Sequence, residues 1–328
     1  MNGLYVGIDI GGTKCAVSIA HGPTEIVRKS IIPTDLTIAP VPYLESLAGE
    51  VRSLMAEEGV TADNLESVGI VCGGPLDLHR GLICSPPNLP GWDDVPVVKL
   101  FEQEFEVPVQ LLNDADACAL AEWQFGAGKG CANVVFLTFG TGMGAGLILD
   151  GRLYLGASGY AGEVGRLRLS TAEPERGIDG TFEGYCSGNG IARRARAVAR
   201  RLLETNSELP LFCKGKSKLD DVQAYDVAEA AAEGDIYAVE VFRETGTFLG
   251  LGLSAIIDLF NPDRIVIGGI YERRESLLRE PATRVVEEKA LEPARRACSV
   301  VPSGLGERVG DTAALMVATG SHRTEKVV

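Results

Sequence analysis

Histidine is scarce in this 328-residue sequence: His21, His79 and His322 are the only three, and none stands near a cysteine cluster or a glycine-rich turn. That excludes a histidine nucleophile relay or a histidine-rich metal centre as the organising chemistry, and surface positions are expected for all three. Cysteine pairs are missing too. The eight cysteines are scattered without a C-x-x-C spacing, several inside apolar runs such as Val71-Cys72 and Ala117-Cys118, which is the usage of buried free thiols. No apolar run approaches the roughly 18 residues of a membrane span, and no basic segment followed by an apolar one opens the chain. A cytoplasmic protein with no membrane partner is expected. Positive charge is also in deficit, with Lys+Arg 31 against Asp+Glu 45 and a formal net charge of -14. A clustered basic footprint for nucleic acid is therefore not expected, and a small-molecule substrate is.

What is present is ordinary for a globular chain of two domains: 45% hydrophobic and 23% charged residues. Strand-like runs fall at Leu4 to Ile10, Cys15 to Ala20, Ser67 to Cys72, Val109 to Leu112, Val134 to Phe139, Gly144 to Leu149 and Arg264 to Ile267. Helical periodicity lies between them, as at Leu44, Leu47, Val51 and Leu54, and over 226–234 and 235–260, where Asn261-Pro262 ends the pattern. Alternation of this kind predicts an α/β fold. Thr171 to Asp179 reads as a polar loop. An internal echo stands out: VGIDIGGTKCAVSIA and VFLTFGTGMGAGLILDG share strand, glycine turn and strand. Two such hairpins predict a duplicated domain in which backbone N–H groups of both turns serve one polyphosphate.

The first turn resembles a Walker loop only in its glycine spacing. Thr13 precedes Lys14, and a strand rather than a helix follows. Asp9, Gly11, Gly12 and Thr13 put a carboxylate, two open backbone positions and a hydroxyl in one turn, which suits a Mg-polyphosphate or, read plainly, a β-hairpin. Gly140, Gly142 and Ala145 satisfy the loose dinucleotide pattern, but no helix follows, so nicotinamide binding is rejected. In LLNDADACALAEWQFG, Asn113 and Asp114 end a strand and open a helix; this is either a plain N-cap or a catalytic carboxylate held at a helix N-terminus. With histidine so scarce, Asp114 is the best candidate for a general base. Glu163 and Glu183 sit among glycines, where each is either a solvated charge or a carboxylate held at a cleft.

Together DIGGTK, GGPLD followed by PPNLPGW, LNDADACALAEW, LTFGTGMGAGLILDGRLYLGASGYAGEVG and NPDRIVIGG resemble, in order, the motifs of the ROK family of the actin-like sugar-kinase superfamily. The resemblance implies a duplicated actin-like (ribonuclease H-like) α/β fold with a central ATP and sugar cleft. It also implies ATP-dependent phosphorylation of a hexose, commonly at the 6-hydroxyl, by a homodimer, or else a sugar-binding regulator without kinase activity. The expected division is residues 1–112 with a C-terminal helix from about residue 311, and 113–310. Carried over, the family pattern makes Asp114 the general base. It puts Gly74, Asn88 and Asn113 on the sugar with Glu163 and Glu183, and it turns Asp9, Gly11, Gly12, Thr13 and Lys14 toward phosphate and Mg. Thr138, Gly140, Thr141 and Gly142 join them, and Gly268 and Gly269 lie along the adenosine. ATP and Mg are the implied cofactors, with Asp9 toward the metal. Regulators of the family carry a DNA-binding segment ahead of the first motif, for which Asp9 is expected to leave no room.

Two departures bear on the sugar. Arg166 occupies the place where the family has histidine, and the cysteine-rich zinc segment that should follow is replaced by STAEPERGID. No structural zinc is expected. A permanently charged guanidinium cannot act as a neutral acceptor, so Arg166 either pairs with a local carboxylate such as Glu183, which is the expected role, or binds the substrate.

Overall fold

The apolar runs on either side of the first glycine turn form an antiparallel hairpin, β1 (Leu4–Ile10) and β2 (Lys14–Ala20), paired from Tyr5 with Ala20 to Ile10 with Cys15. In the computed structural model, which describes residues 3–61, 64–171 and 180–320, this hairpin seeds the first of two sheets. The chain continues through β3 (Ile26–Pro33), α1 (Pro40–Glu57), β4 (Leu65–Cys72), a short ribbon of β5 (Leu76–Asp77) and β6 (Leu82–Ile83), α2 (Val97–Phe105), β7 (Val109–Asn113) and α3 (Asp114–Phe125). The second half holds β8 (Val134–Phe139), β9 (Met143–Leu149), β10 (Arg152–Leu153), α4 (Phe182–Tyr185), α5 (Gly188–Glu204), α6 (Ala224–Ala232), α7 (Ile236–Phe260), β11 (Arg264–Ile267), α8 (Ile270–Arg273), α9 (Glu275–Lys289), α10 (Glu292–Ala297), β12 (Ser299–Pro302) and α11 (Val309–Ala318). His322 and most of the stretch expected as a polar loop lie outside the described residues; His21 and His79 are exposed.

The sheets have orders β3-β2-β1-β4-β7 and β10-β9-β8-β11-β12. In each, a run of antiparallel strands gives way to parallel ones: β1 is parallel to β4 and β4 to β7, as β8 is to β11 and β11 to β12. That repetition is the duplication read from the two hairpins. Besides the two-residue strands β5, β6 and β10, two edge strands go beyond the runs read from the sequence. In β3, Arg28, Lys29 and Ser30 interrupt the apolar run because this edge strand is largely exposed, and β12 is a four-residue edge strand that pairs only with β11.

Two units result, Met1–Lys129 with Gly146–Ala161 and Glu307–Val328, and Gly130–Ala145 with Gly162–Gly306. The first unit therefore takes in α3, which packs on α11. Its core closes over one face of α1, where Leu47 and Val51 are fully buried, each burial contributing about 1.5–3 kcal/mol. On the sheet's other contact, α11 lies against β1 and β4 because Gly7 and Gly69 have no side chain: a Cβ at Gly7 would stand 2.9 Å from the Leu315 nitrogen, and one at Gly69 2.2 Å from the Ala314 carbonyl. Gly7 thus serves helix packing. In the second unit α7 packs along α9, and its C-terminus is closed by Asn261 in the left-handed region at φ 43. All eight cysteines are free thiols, five of them buried, and among the described residues no helix is long and apolar enough to cross a membrane.

Candidate functional site

Register delivers the first group of side chains. Asp9 sits one residue before the end of β1, and its parallel partner is Val71 of β4, whose own extension leads into Gly73-Gly74. β7, beside β4, ends at Asn113, so Gly73-Gly74 and the start of α3 meet at the C-terminal edge of the sheet. Asn113 caps α3: its Oδ1 accepts from the Ala115 and Asp116 N–H groups at 2.9 and 3.4 Å. Asp114, the first residue of the helix, accepts from Ala115 N at 2.8 Å through Oδ1. Its Oδ2 faces Gly73, 3.8 Å from where a Cβ would stand there, and the Asn113 amide nitrogen abuts Gly74.

The β1–β2 turn packs onto the loop between β6 and α2. A Cβ at Gly12 would fall 2.4 Å from the Asn88 carbonyl oxygen. The turn itself is held by Gly11 N to Lys14 O at 3.1 Å and by Thr34, whose hydroxyl donates to Gly11 O at 2.6 Å. Thr13 and Lys14 are exposed.

The electrostatics of this group are strained by like charge. Burial pushes the Asp9 carboxyl up to about 7, with further upward pressure from Asp114 and Asp311 and a counter-pull from Lys14 and Lys29. Burial raises Asp114 as well, against the backbone N–H groups of Ala115 and Asp114 that favour its anion. Asp311 and its neighbour Gly310 are the residues that sequence reasoning missed here. Gly310, in the first turn of α11, touches the Asp9 carboxylate, since a Cβ there would lie 2.7 Å from Oδ2. Asp311 is buried and paired with Lys29 Nζ at 2.5 Å. An acid in the first turn of the last helix was the available signal.

The second unit presents its own glycine turn. Gly140 N donates to Gly142 O at 3.1 Å, and Thr138 Oγ1 accepts from Gly144 N at 3.0 Å. The N-terminus of α5 docks on it, with Gly188 N donating to Gly140 O at 2.8 Å; sequence reasoning missed this contact, inside SGNG, as well. Gly269, at φ +67, sits so close to Phe139 that a Cβ would meet its carbonyl oxygen at 2.3 Å, which brings Gly268-Gly269 beside the turn. Thr138, Gly140, Thr141, Gly142, Gly268 and Gly269 therefore gather in one place.

Glu183, on α4, reaches the same turn: its Oε2 accepts from Met143 N at 2.9 Å. The 3-10 turn Val164–Arg166 backs onto it, since a Cβ at Gly165 would stand 3.3 Å from the Glu183 Cβ. Glu163 and Arg166 are exposed. The expected pairing of Arg166 with Glu183 is not seen among the described residues: Arg166 is exposed, and Glu183 accepts from Met143 N instead. Among the described residues no group of three or more His, Cys, Asp or Glu side chains is placed to share a metal ion.

Comparison with known proteins bears on the family and the fold. The sequence profile of the ROK family matches residues 5–320. A glucokinase of Streptomyces coelicolor is 31% identical over 284 residues, covering 85% of this chain and 86% of the relative. A putative xylose repressor of a Caldicellulosiruptor species is 27% identical over 290 residues, covering 88% and 71%. Among solved structures, a ROK family glucokinase from Streptomyces griseus, in complex with glucose and AMPPNP, superposes with a TM-score of 0.79 at 30% identity, covering 97% of this chain and 100% of the other. The fold is the actin-like α/β fold of those kinases.

Proposed function

The chain belongs to the ROK family, and from that premise we propose that it is an ATP-dependent sugar kinase that phosphorylates a hexose or hexose derivative, at the 6-hydroxyl. MgATP is the co-substrate. The glycine turns at Gly11-Gly12 and at Gly140 to Gly142 meet its phosphates, Thr13, Lys14, Thr138 and Thr141 add polar contacts, Gly268-Gly269 lie along the adenosine, and Asp9 faces the magnesium. Gly74, Asn88, Asn113, Glu163, Glu183 and Arg166 meet the sugar. Asp114 takes the hydroxyl proton as the sugar oxygen bonds to the γ-phosphorus and the bond to the β,γ-bridging oxygen breaks, releasing ADP. Rate enhancement comes chiefly from positioning and charge stabilisation.

The observation that carries this reading is the state of the Asp114 carboxylate. One oxygen is fixed by the helix N–H at 2.8 Å, and the other faces Gly73, which carries no side chain. An acceptor held in that way suits a base that needs reach more than a matched pKa. A coupled ADP-release assay against glucose, mannose, fructose, allose, N-acetylglucosamine, N-acetylmannosamine and acidic sugars tests it. Turnover on at least one sugar well above the sugar-free ATPase rate is expected. Tight sugar binding with turnover of none would instead favour the regulatory reading that the similarity to a putative xylose repressor raises.

Arg166 supplies a second check. With an exposed guanidinium outside any ion pair among the described residues, Arg166→Ala should leave the melting temperature within about 1 °C while raising the sugar KM severalfold and sparing the KM for ATP. An unchanged sugar KM removes Arg166 from the binding surface.

A further inference from the structure

Glu183 is the exposed tip of a one-turn helix, a poor platform for a carboxylate that must hold its aim. The Met143 N–H holds its carboxylate, and the turn itself is steadied from underneath. Tyr185, on the buried side of the same turn, is 4% exposed and stacks on Phe248 of α7 at an interplanar angle of 8°. Its hydroxyl is 2.9 Å from Ser170 Oγ, which belongs to the strand of chain that runs on from Arg166. The two segments are laced by backbone bonds as well: Phe182 N to Leu167 O at 2.7 Å, and Leu169 N to Gly180 O at 2.8 Å.

Beneath Tyr185 is a buried cation. Arg194, on α5, is 3% exposed; its Nη2 donates to the Tyr185 carbonyl at 2.9 Å and to Thr245 Oγ1, and Nη1 pairs with Glu244 at 3.1 Å. The guanidinium carbon lies 5.7 Å from the Tyr185 ring centroid. Glu244 is 43% exposed, so the ion pair offsets little of the desolvation of a buried guanidinium, and an apolar residue of the same volume would be the cheaper way to fill this space. A costly group whose fork grips the main chain of one short turn fits a role in fixing geometry.

We propose that Tyr185 and Arg194 are positioning residues for the sugar site: Arg194 clamps the Tyr185 carbonyl, the Tyr185 hydroxyl ties the turn to Ser170, and together they hold Glu183 in register with the segment that carries Glu163 and Arg166. The inference rests on the sugar-kinase reading only for the ligand that Glu183 meets. The tie lies beside the two ends of the stretch where the resembled family has its cysteine-rich segment, Ser170 and Gly180, which backbone bonds from Leu169 N and Ser170 N to Gly180 O also hold together.

Tyr185→Phe tests it, since it deletes one hydroxyl and keeps the stacked ring. Expected are a fivefold or greater rise in sugar KM, kcat and the KM for ATP within twofold of the parent, and faster hydrogen exchange at the amides of Leu169 and Ser170. In a Glu183→Gln background the same change should leave sugar KM where Glu183→Gln alone puts it, because Tyr185 acts through Glu183. Arg194→Met should raise sugar KM, with partial recovery in Arg194→Lys; should Arg194→Met fail to fold, Tyr185→Phe and Ser170→Ala carry the test. Unchanged exchange overturns the tie, and faster exchange with an unchanged sugar KM overturns the positioning role. If the parent turns over no sugar, it is the proposed function that fails; the sugar dissociation constant then replaces KM, and exchange still reports on the tie.

Discussion

Asp114→Asn should lower kcat by roughly 10²–10⁴-fold with little change in either KM, the range lost when a positioned general base is removed. Asparagine keeps the planar shape and the oxygen that accepts from Ala115 N at 2.8 Å, and the cap of α3 belongs to Asn113. The helix therefore stays in place while the proton acceptor goes. Steady-state kinetics with both substrates varied, alongside a thermal melt, separate this outcome from misfolding. A variant within threefold of the parent would mean that the hydroxyl loses its proton elsewhere, and the mechanism would need another base.

Asp9→Asn should be inactive yet more stable above neutral pH. The Asp9 carboxyl is pushed up to about 7 by burial and by the neighbouring Asp114 and Asp311, whereas in the unfolded chain it titrates near the usual value of about 3.9. Between those pH values the folded protein holds a proton that the unfolded chain has released. By linkage the parent loses stability as pH rises across that interval and reaches its lowest contribution from this group above pH 7. At about 1.4 kcal/mol per unit, and allowing for partial exposure, the neutral asparagine should gain about 1–3 kcal/mol at pH 8, and the gain should vanish near pH 4. Melting curves of both proteins across that range give the sign directly. The lost activity follows from the same carboxylate, whose negative charge is costly until a divalent cation arrives to share it. A variant no more stable than the parent at pH 8 would show that Lys14 and Lys29 already neutralise the site.

Much of the fold, and the placing of the candidate site's residues at strand ends and glycine turns, is legible in the amino-acid sequence, and the reasons are local. Leu4–Ile10 and Val134–Phe139 are mostly apolar runs rich in β-branched or aromatic residues and ended by glycine turns, a local signal. The periodic face of α1 and the Asn-Asp boundary of α3 depend on neighbours three and four residues away, so spacing alone exposes them. Tertiary facts are not legible. Lys29 breaks the hydrophobic pattern of β3, and its reason for being there, Asp311, is 282 residues away. Gly7 belongs to the same loop motif as Gly12, but spacing does not reveal that one admits α11 and the other touches Asn88. Nor does sequence say where a charged side chain points. Arg166 and Glu183 are natural partners by charge, and a backbone N–H of Met143 claims the glutamate instead.

The most direct test is a crystal structure of the protein with its best sugar and a non-hydrolysable ATP analogue. The account predicts an Asp114 carboxylate oxygen within about 3 Å of the hydroxyl that assays show to be phosphorylated, with the analogue's phosphates over the two glycine turns. A sugar bound with every hydroxyl out of hydrogen-bond reach of Asp114 would contradict it.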